Sequence, residues 1–385
     1  MKNKDQTIAL LPSGFVDLLP PEAGQEADAI SDLISVFRGF GYHRVKPPLL
    51  EFEESLFATG PGAAQSDDMF RLMDPISHKM VGIRSDITAQ ITRIVASRLK
   101  DAPRPLRLTY ANDALRTKGS QQRTERQFTQ VGCELVGVED KQADVEVCIA
   151  ALAGLTRLDV GAVTLDLTLP RLVDQIFAHY EATAQQQEQT RAALIDRDVD
   201  RLAAMASPMA DVLVQLVKAS GPVEISLDAL MGIRLPQAAA ASIMELRDFY
   251  EALKSAIDAF EFGHVAVSID VIDTIGFEYH HGLGFSLFSD KARGPLGRGG
   301  RYEIAFGQDS ARESACGFTL YMDTVRAAMD APKPQNMVLV SMDESWGVIR
   351  SLQEEGWIVV RASGHNDEAP DCTHEYKGGK VVERT

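Results

Sequence analysis

Apolar residues recur with two different spacings along the N-terminal part of the chain, and the spacing separates helices from strands. Residues 22–40 predict a helix, because their apolar side chains share one helical face. Residues 42–57 predict a strand closed by two prolines and then a second helix. Residues 78–99 predict a strand followed by an amphipathic helix, with Ser85 or Asp86 as the cap of its first turn.

The segment 126–136 has the period of two that is typical of a strand. The odd positions Val131, Cys133 and Leu135 are apolar. The alternate positions hold a basic group, a ring, an amide, a glycine and a carboxylate: Arg126, Phe128, Gln130, Gly132 and Glu134. This face is suited to a ligand, because Gly132 leaves room between its polar neighbours. A strand face exposed to solvent would have the same pattern.

The rest of the chain predicts an α+β protein with a largely antiparallel sheet and helices packed on it. Residues 171–260 are mostly helical in pattern, and "GPLGRGGRYE" at 294–303 is typical of a glycine-rich turn. Two domains are predicted. Residues 1–332 form the core, and residues 333–385 form a small strand–helix–strand segment with a polar tail.

Composition narrows the class of function. The formal net charge is -16 over 385 residues, which argues against a broad nucleic-acid surface. No apolar stretch approaches the roughly 20 residues of a membrane span, and the N-terminus lacks the pattern of a secretory signal. The four cysteines are scattered, without metal or disulfide spacing, which fits a reducing environment. We therefore expect a cytoplasmic protein that does not bind a membrane.

Few local motifs carry chemistry by themselves. The hairpin of residues 107–137 has a basic tip that could hold phosphate, although a solvated hairpin tip is the commoner explanation. His280 and His281 are adjacent on a predicted strand, so their side chains point to opposite faces and cannot easily share one metal ion. No phosphate-binding loop, metal helix or nucleophile elbow is present. We expect neither a metal nor a cofactor.

The motifs are more informative taken in chain order. The succession "GYHRVKPPLLE", "IRSDIT", "RLTYANDALR", "RQFTQVGCELVG", "GFEYHHG", "GRGGRYE" and "ACGFTLYMDTV" resembles the catalytic core of histidyl-tRNA synthetases over roughly residues 10–330. The resemblance implies a class II aminoacyl-tRNA synthetase-like fold. That fold is a six-stranded antiparallel sheet flanked by helices, with a helical insertion.

The resemblance also implies a histidine pocket. Asp86 is the counterpart of a carboxylate near the ligand amine, and Arg116 matches an arginine that meets the α-phosphate and carboxylate. His280 stands where the family has a second tyrosine near the imidazole. The implied ligand-binding residues are Asp86, Thr88, Arg116, Gln130, Glu134, Tyr279 and His280.

Departures from the synthetase pattern fall on the ATP side. The family's catalytic arginine falls at Ile275, and the arginine of the last motif falls at Thr324. Lys118 and Gly119 stand where the family has a glutamate and an arginine. Each lost donor to developing charge costs on the order of 10²–10³ in rate. The part after residue 333 is about half the length of an anticodon-binding domain. We expect no catalytic residues and no tRNA.

A retained histidine pocket without the ATP and tRNA machinery resembles the regulatory subunits of ATP phosphoribosyltransferase. That resemblance implies a dimer within a hetero-octamer, in which the short catalytic subunit depends on this chain for the first step of histidine biosynthesis and histidine acts as feedback effector. The alternatives are a free-standing histidine sensor and an active synthetase. Asp86 and His280 are substitutions at the pocket, which leaves open another ligand.

Overall fold

The structure is a computed structural model that describes residues 10–58, 68–119, 123–305, 312–332, 335–362 and 371–384. It divides into two compact units, Met1–Asp330 and Ala331–Thr385. In the described part of the larger unit, nine strands form one sheet. Numbered along the chain and given in sheet order, they are β1 (His43–Arg44), β5 (Leu106–Leu115), β6 (Gln127–Val136), β12 (Arg312–Tyr321), β11 (Gly297–Ala305), β10 (His280–Ser289), β7 (Val163–Thr168), β9 (Val265–Ile269) and β8 (Gly221–Pro222).

The six neighbouring strands from β5 to β7 are antiparallel throughout, as the resemblance implied. Parallel pairs occur towards both edges, between β1 and β5 and between β7 and β9. A smaller sheet has the order β2 (Leu50–Phe52), β4 (Met80–Ile83), β3 (Phe70–Met73). The chain therefore has the α+β fold predicted from its sequence.

Helices cover the large sheet and connect its strands. In the described residues of the larger unit they are α1 (Glu22–Gly39), α2 (Glu53–Leu56), α3 (Thr88–Ser97), α4 (Lys141–Arg157), α5 (Leu172–His179), α6 (Ala184–Ile195), α7 (Val199–Ala203), α8 (Pro208–Lys218), α9 (Val223–Gly232), α10 (Gln237–Ala259) and α11 (Met322–Ala328). None of the helices in the described ranges is long and apolar enough to cross a membrane.

The segment from α5 to α10 follows β7 and leads into β9. Parallel strands require a long crossover connection, which this helical segment supplies. The prolines in it stand at helix starts, where a missing backbone N–H costs least. Pro208 is the first residue of α8, and Pro222 and Pro236 are the N-cap residues of α9 and α10.

The two faces of β6 have different surroundings. Val131, Cys133 and Leu135 are buried in the main apolar core, together with residues of α1 and α4. The alternate residues face the other way, towards a second apolar cluster that contains Ile87 and Ile91 near α3. The alternation in the sequence therefore predicted correctly which side chains of this strand enter the main core.

The smaller unit has its own sheet, in the order β14 (Ile358–Ala362), β13 (Met337–Ser341), β15 (His374–Lys377), β16 (Lys380–Glu383), and the helix α12 (Trp346–Glu354). Within the predicted polar tail, residues 374–383 form an antiparallel hairpin, which the sequence analysis did not predict. Gly378 and Gly379 have φ values of 59° and 81°, as a tight hairpin turn requires. Tyr376 and Val381 pack against this unit's apolar core, which fixes the hairpin in place.

Candidate functional site

A row of glycines crosses the large sheet beside Glu134. Gly317 lies opposite Glu134 on β12, Gly300 lies opposite Gly317 on β11, and Gly284 lies opposite Gly300 on β10. Without side chains, these residues leave space above the strands. A Cβ atom at Gly317 would lie 1.8 Å from Glu134 Oε2, so no larger residue fits there while Glu134 keeps its position.

A cavity of about 200 Å³ lies above this part of the sheet. Its lining residues are Asp68, Asp86, Thr88, Arg116, Glu134, Gly276, Glu278, Tyr279, His280, Arg298, Gly299, Tyr302, Gly317, Phe318, Thr319 and Tyr321. Six of the seven predicted ligand-binding residues are among them. The seventh, Gln130, lies behind Asp86 and contacts it directly.

The loop before α3 is tied to β6 at the deep end of the cavity. Gln130 Nε2 donates to Asp86 Oδ2 at 2.9 Å, and Gln130 Oε1 accepts from Ile87 N at 2.9 Å. Asp86 Oδ1 accepts from Thr88 N at 2.8 Å, although Ile87 is the N-cap residue of α3. Asp86 therefore satisfies a free N–H of the first helical turn while its carboxylate lines the cavity.

Glu134 is the centre of a buried hydrogen-bond network, with only 1% of its surface exposed. Its Oε1 accepts from Thr88 Oγ1 at 3.0 Å and from Tyr110 Oη at 3.4 Å, and its Oε2 accepts from Tyr302 Oη at 2.9 Å. Burial raises the pKa of Glu134 to about 8, against the lowering effect of these hydroxyl donors. At neutral pH the free protein therefore holds Glu134 largely protonated.

His280 forms an aromatic wall of the cavity. Its ring stacks on Tyr279 with centroids 4.3 Å apart and meets the edge of Phe277 at 5.2 Å. Burial lowers the pKa of His280 to about 3, so its imidazole is neutral at physiological pH. His281 lies elsewhere, with its Nδ1 2.8 Å from Arg171 Nη2. The described residues contain no cluster of three or more His, Cys, Asp or Glu that could hold a metal ion.

The more open part of the cavity lining, called the mouth below, contains two arginines, Arg116 and Arg298, and two exposed acids, Asp68 and Glu278. Arg116 lies over the Phe128 ring at 5.1 Å. Arg298, which the sequence analysis did not single out, also lines the cavity.

The prediction of a glycine-rich turn at 294–303 is wrong, because most of this segment forms β11. Gly297 and Gly299 belong to the ladder, where a Cβ atom would come within 2.5 Å of carbonyl oxygens of β12. The glycines serve close strand packing, and Arg298 is a strand residue between them.

Ile275 and Thr324 occupy the two positions where the synthetase pattern has arginines. Ile275 is 51% exposed. Beside Thr324, Arg123 reaches across from the β5–β6 hairpin, pairs with Asp323 at 2.8 Å and lies 3.8 Å above the Tyr321 ring. Its guanidinium also lies 4.7 Å from the Phe128 ring. Arg123 therefore occupies the space between two aromatic rings, where its charge is matched by Asp323.

Comparison with known proteins identifies the family to which this chain belongs. Residues 14–325 match the sequence model of a family described as histidyl-tRNA synthetase. An ATP phosphoribosyltransferase regulatory subunit of Rhodospirillum centenum is 41% identical over 98% of this chain and 97% of its own. One from Paramagnetospirillum magneticum is 43% identical over 91% of this chain and 90% of its own. The chain belongs to the family of ATP phosphoribosyltransferase regulatory subunits.

Solved structures confirm the fold of this family member. An ATP phosphoribosyltransferase regulatory subunit/histidyl-tRNA synthetase from Bacillus halodurans has a TM-score of 0.79 at 24% identity, covering 94% of both chains. The histidyl-tRNA synthetase of Nostoc sp. PCC 7120 has a TM-score of 0.75 at 19% identity, covering 93% of this chain and 87% of that one. The synthetase-like fold predicted from the motifs is therefore confirmed.

Proposed function

We propose that this chain is a non-catalytic regulatory subunit of ATP phosphoribosyltransferase and that its cavity binds L-histidine as the feedback effector. The observation that carries the proposal is the arrangement of polar groups in the cavity. The buried Asp86 and Glu134 lie at the deep end, and Arg116 and Arg298 lie at the mouth with the exposed Asp68 and Glu278. A free amino acid with a basic side chain carries the complementary groups, an ammonium, a carboxylate and an imidazole.

The roles of the deep residues follow from their chemistry. The Asp86 carboxylate, held by Gln130 and the helix backbone, is suited to accept hydrogen bonds from the ligand ammonium. Glu134 is suited to the imidazole, because a carboxyl group with a pKa near 8 can share one proton with a ring nitrogen. His280 and Tyr279 supply flat rings that pack against such a ligand.

The absence of adenylation is part of the same proposal. Amino-acid activation by ATP needs cationic donors aimed at the charge that develops on the phosphate. Ile275 and Thr324 cannot donate in this way, and the pairing of Arg123 with Asp323 keeps that arginine engaged. We therefore propose that the cavity recognises an amino acid without activating it and that the chain does not act on tRNA.

Regulation requires a partner, and the proposed partner is the short catalytic subunit of ATP phosphoribosyltransferase in a hetero-octamer. Feedback then requires that histidine bind one state of the assembly more tightly than the other, typically by about 1–3 kcal/mol. Self-association of this chain is proposed through its synthetase-like core. Exposed apolar side chains on the three-stranded sheet of β2, β3 and β4, such as Met73 and Met80, support such an interface.

A reconstitution assay tests this function. The short catalytic subunit from the same organism would be assayed alone, with this chain, and with both this chain and L-histidine. We expect activity to appear with this chain and to fall as histidine is added. No change in either step would overturn the subunit assignment in favour of a free-standing sensor. Histidine-dependent exchange of pyrophosphate into ATP would instead reveal an active synthetase.

A further inference from the structure

Arg298 belongs to a polar row that crosses the sheet next to the glycine row. It lies opposite Thr319 on β12 and Ser286 on β10. Thr319 in turn lies opposite Gly132, which is paired with Tyr110. The Tyr110 and Thr319 hydroxyl oxygens are 2.7 Å apart, so this row faces the same side of the sheet as Glu134. Strand geometry therefore directs Arg298 towards the cavity.

The guanidinium of Arg298 lies against the backbone that precedes β10. A Cβ atom at Gly276 would lie 2.2 Å from Arg298 Nη1, so a side chain there would displace the guanidinium. Gly276 also has a φ of 82°, which a glycine adopts without strain. The Arg298 guanidinium also lies 5.8 Å from the centroid of the Phe277 ring. The turn at Gly276 thus makes room for this cation at the cavity wall.

Within the described residues, no carboxylate lies within ion-pair distance of Arg298, and its buried Nε has no hydrogen-bond partner. Asp273 attracts this cation only from a longer distance, an interaction that acts to lower the pKa of Asp273. The nearby acids are engaged elsewhere. Asp273 accepts from Ile275 N at 3.1 Å, and Glu278 accepts from Gly276 N at 3.1 Å. An unmatched donor of this kind is costly to bury. A ligand that brings an anionic acceptor to it would remove that cost.

We propose that Arg298 binds the carboxylate of the amino acid held in the cavity. This inference rests on the proposed function and adds a residue to it that the resemblance did not supply. The synthetase pattern has its arginine at the position of Ile275. Arg298, on the neighbouring strand β11, places a cation beside the next residue, Gly276. Arg116 is held over Phe128 instead. A forked guanidinium suits the two oxygens of a carboxylate.

Two ligands separate this role from a structural one. L-Histidinol carries a hydroxymethyl group where L-histidine carries its carboxylate. Calorimetry with the full chain would give the ratio of the two affinities. We expect wild type to prefer histidine by on the order of 100-fold. Arg298→Met is expected to reduce this preference at least tenfold, mostly through weaker histidine binding.

Three further variants make the result specific. Arg298→Lys keeps the charge without the forked geometry, and we expect it to recover part of the preference. Arg116→Met changes the other arginine of the cavity, and Arg293→Met changes an exposed arginine of the preceding turn. Arg293→Met is expected to keep the full preference for histidine over histidinol, and Arg116→Met is expected to lose less of it than Arg298→Met.

The outcomes that oppose the inference differ from one another. An unchanged preference in both Arg298 variants, or equal weakening of both ligands, would overturn the carboxylate role while leaving histidine binding intact. Loss of the preference in Arg116→Met alone would assign the carboxylate to Arg116. If neither ligand bound wild type, the proposed function and this inference would fail together. A Met variant that did not fold would leave the Lys variant, where an unreduced preference would overturn the role.

Discussion

The deep end and the mouth of the cavity differ in how their polar groups are paired. At the deep end, Gln130 donates a hydrogen bond to Asp86, and Glu134 accepts hydrogen bonds from three hydroxyl groups. These bonds, and those from the backbone N–H groups of Ile87 and Thr88, measure 2.8 to 3.4 Å. At the mouth, Arg298 has no carboxylate within ion-pair distance among the described residues, and Arg116 contacts a ring. One end is complete without a ligand, and the other is not.

This difference separates recognition from catalysis. A satisfied buried network holds its geometry in the free protein, and in the proposed function this deep end receives an ammonium and an imidazole. Ile275 and Thr324 stand where the synthetase pattern has arginines, Arg123 is paired with Asp323, and Arg298 lines the cavity. In the proposed function the retained half recognises an amino acid, and the altered half no longer suits its activation.

The largest effect is expected from a change that destroys the deep end. In Gly317→Ala the new methyl group would collide with Glu134 Oε2, so histidine affinity is expected to fall by more than 100-fold. Overpacking should also cost about 1–3 kcal/mol of stability. Gly24→Ala is the matched control, because a Cβ atom there has no neighbour within 4 Å. Calorimetry and chemical unfolding would measure both; equal histidine affinities in the two variants would refute the importance of the glycine row.

A smaller loss of histidine affinity is expected when the deep end keeps its shape but the carboxyl group of Glu134 is removed. Glu134→Gln preserves the size of the side chain but removes the proton that the carboxyl group can share with the imidazole, which should weaken histidine binding by about 10- to 100-fold. The Tyr302 hydroxyl, which donates to Glu134, offers a milder control as Tyr302→Phe. Equal affinity in wild type and the Gln variant would exclude Glu134 from the ligand site.

The same variant predicts a pH dependence of stability. The pKa of Glu134 is about 8 in the folded chain and near its ordinary 4.5 when unfolded. Between these values only the folded state keeps the proton, so wild type loses stability relative to the Gln variant as pH rises, by at most about 1.4 kcal/mol per pH unit. Urea unfolding at several pH values from 5 to 8 measures this. A pH-independent difference would contradict the assignment.

The smallest effect on the ligand is expected at the mouth. Arg123→Ala removes the partner of Asp323, which should lower the free energy of unfolding by roughly 2 kcal/mol, between the values typical of exposed and buried pairs. Histidine affinity should change by less than about threefold. Adding Asp323→Asn to the same chain should restore part of the stability. A tenfold loss of affinity would show that Arg123 belongs to the ligand site.

The two ends also differ in how far the sequence predicted them. The alternation along β6 identified Gln130 and Glu134 as one face, because strand periodicity is a local property. The pairing of Arg123 with Asp323 joins residues far apart in the chain, and no local pattern reports such a contact. Arg298 was missed because the glycines around it are typical of a turn, whereas here they allow close strand packing. The C-terminal hairpin was missed although Gly378 and Gly379 mark its turn.

The central claim is that histidine bound at the deep end regulates a partner enzyme. The most direct test is the histidine concentration that halves the activity of the reconstituted ATP phosphoribosyltransferase, compared between wild type and Glu134→Gln. Each complex without histidine provides its own reference. We predict at least a tenfold higher inhibitory concentration for the Gln variant. Equal inhibitory concentrations, alongside weaker histidine binding by the isolated variant, would show that feedback acts through another site.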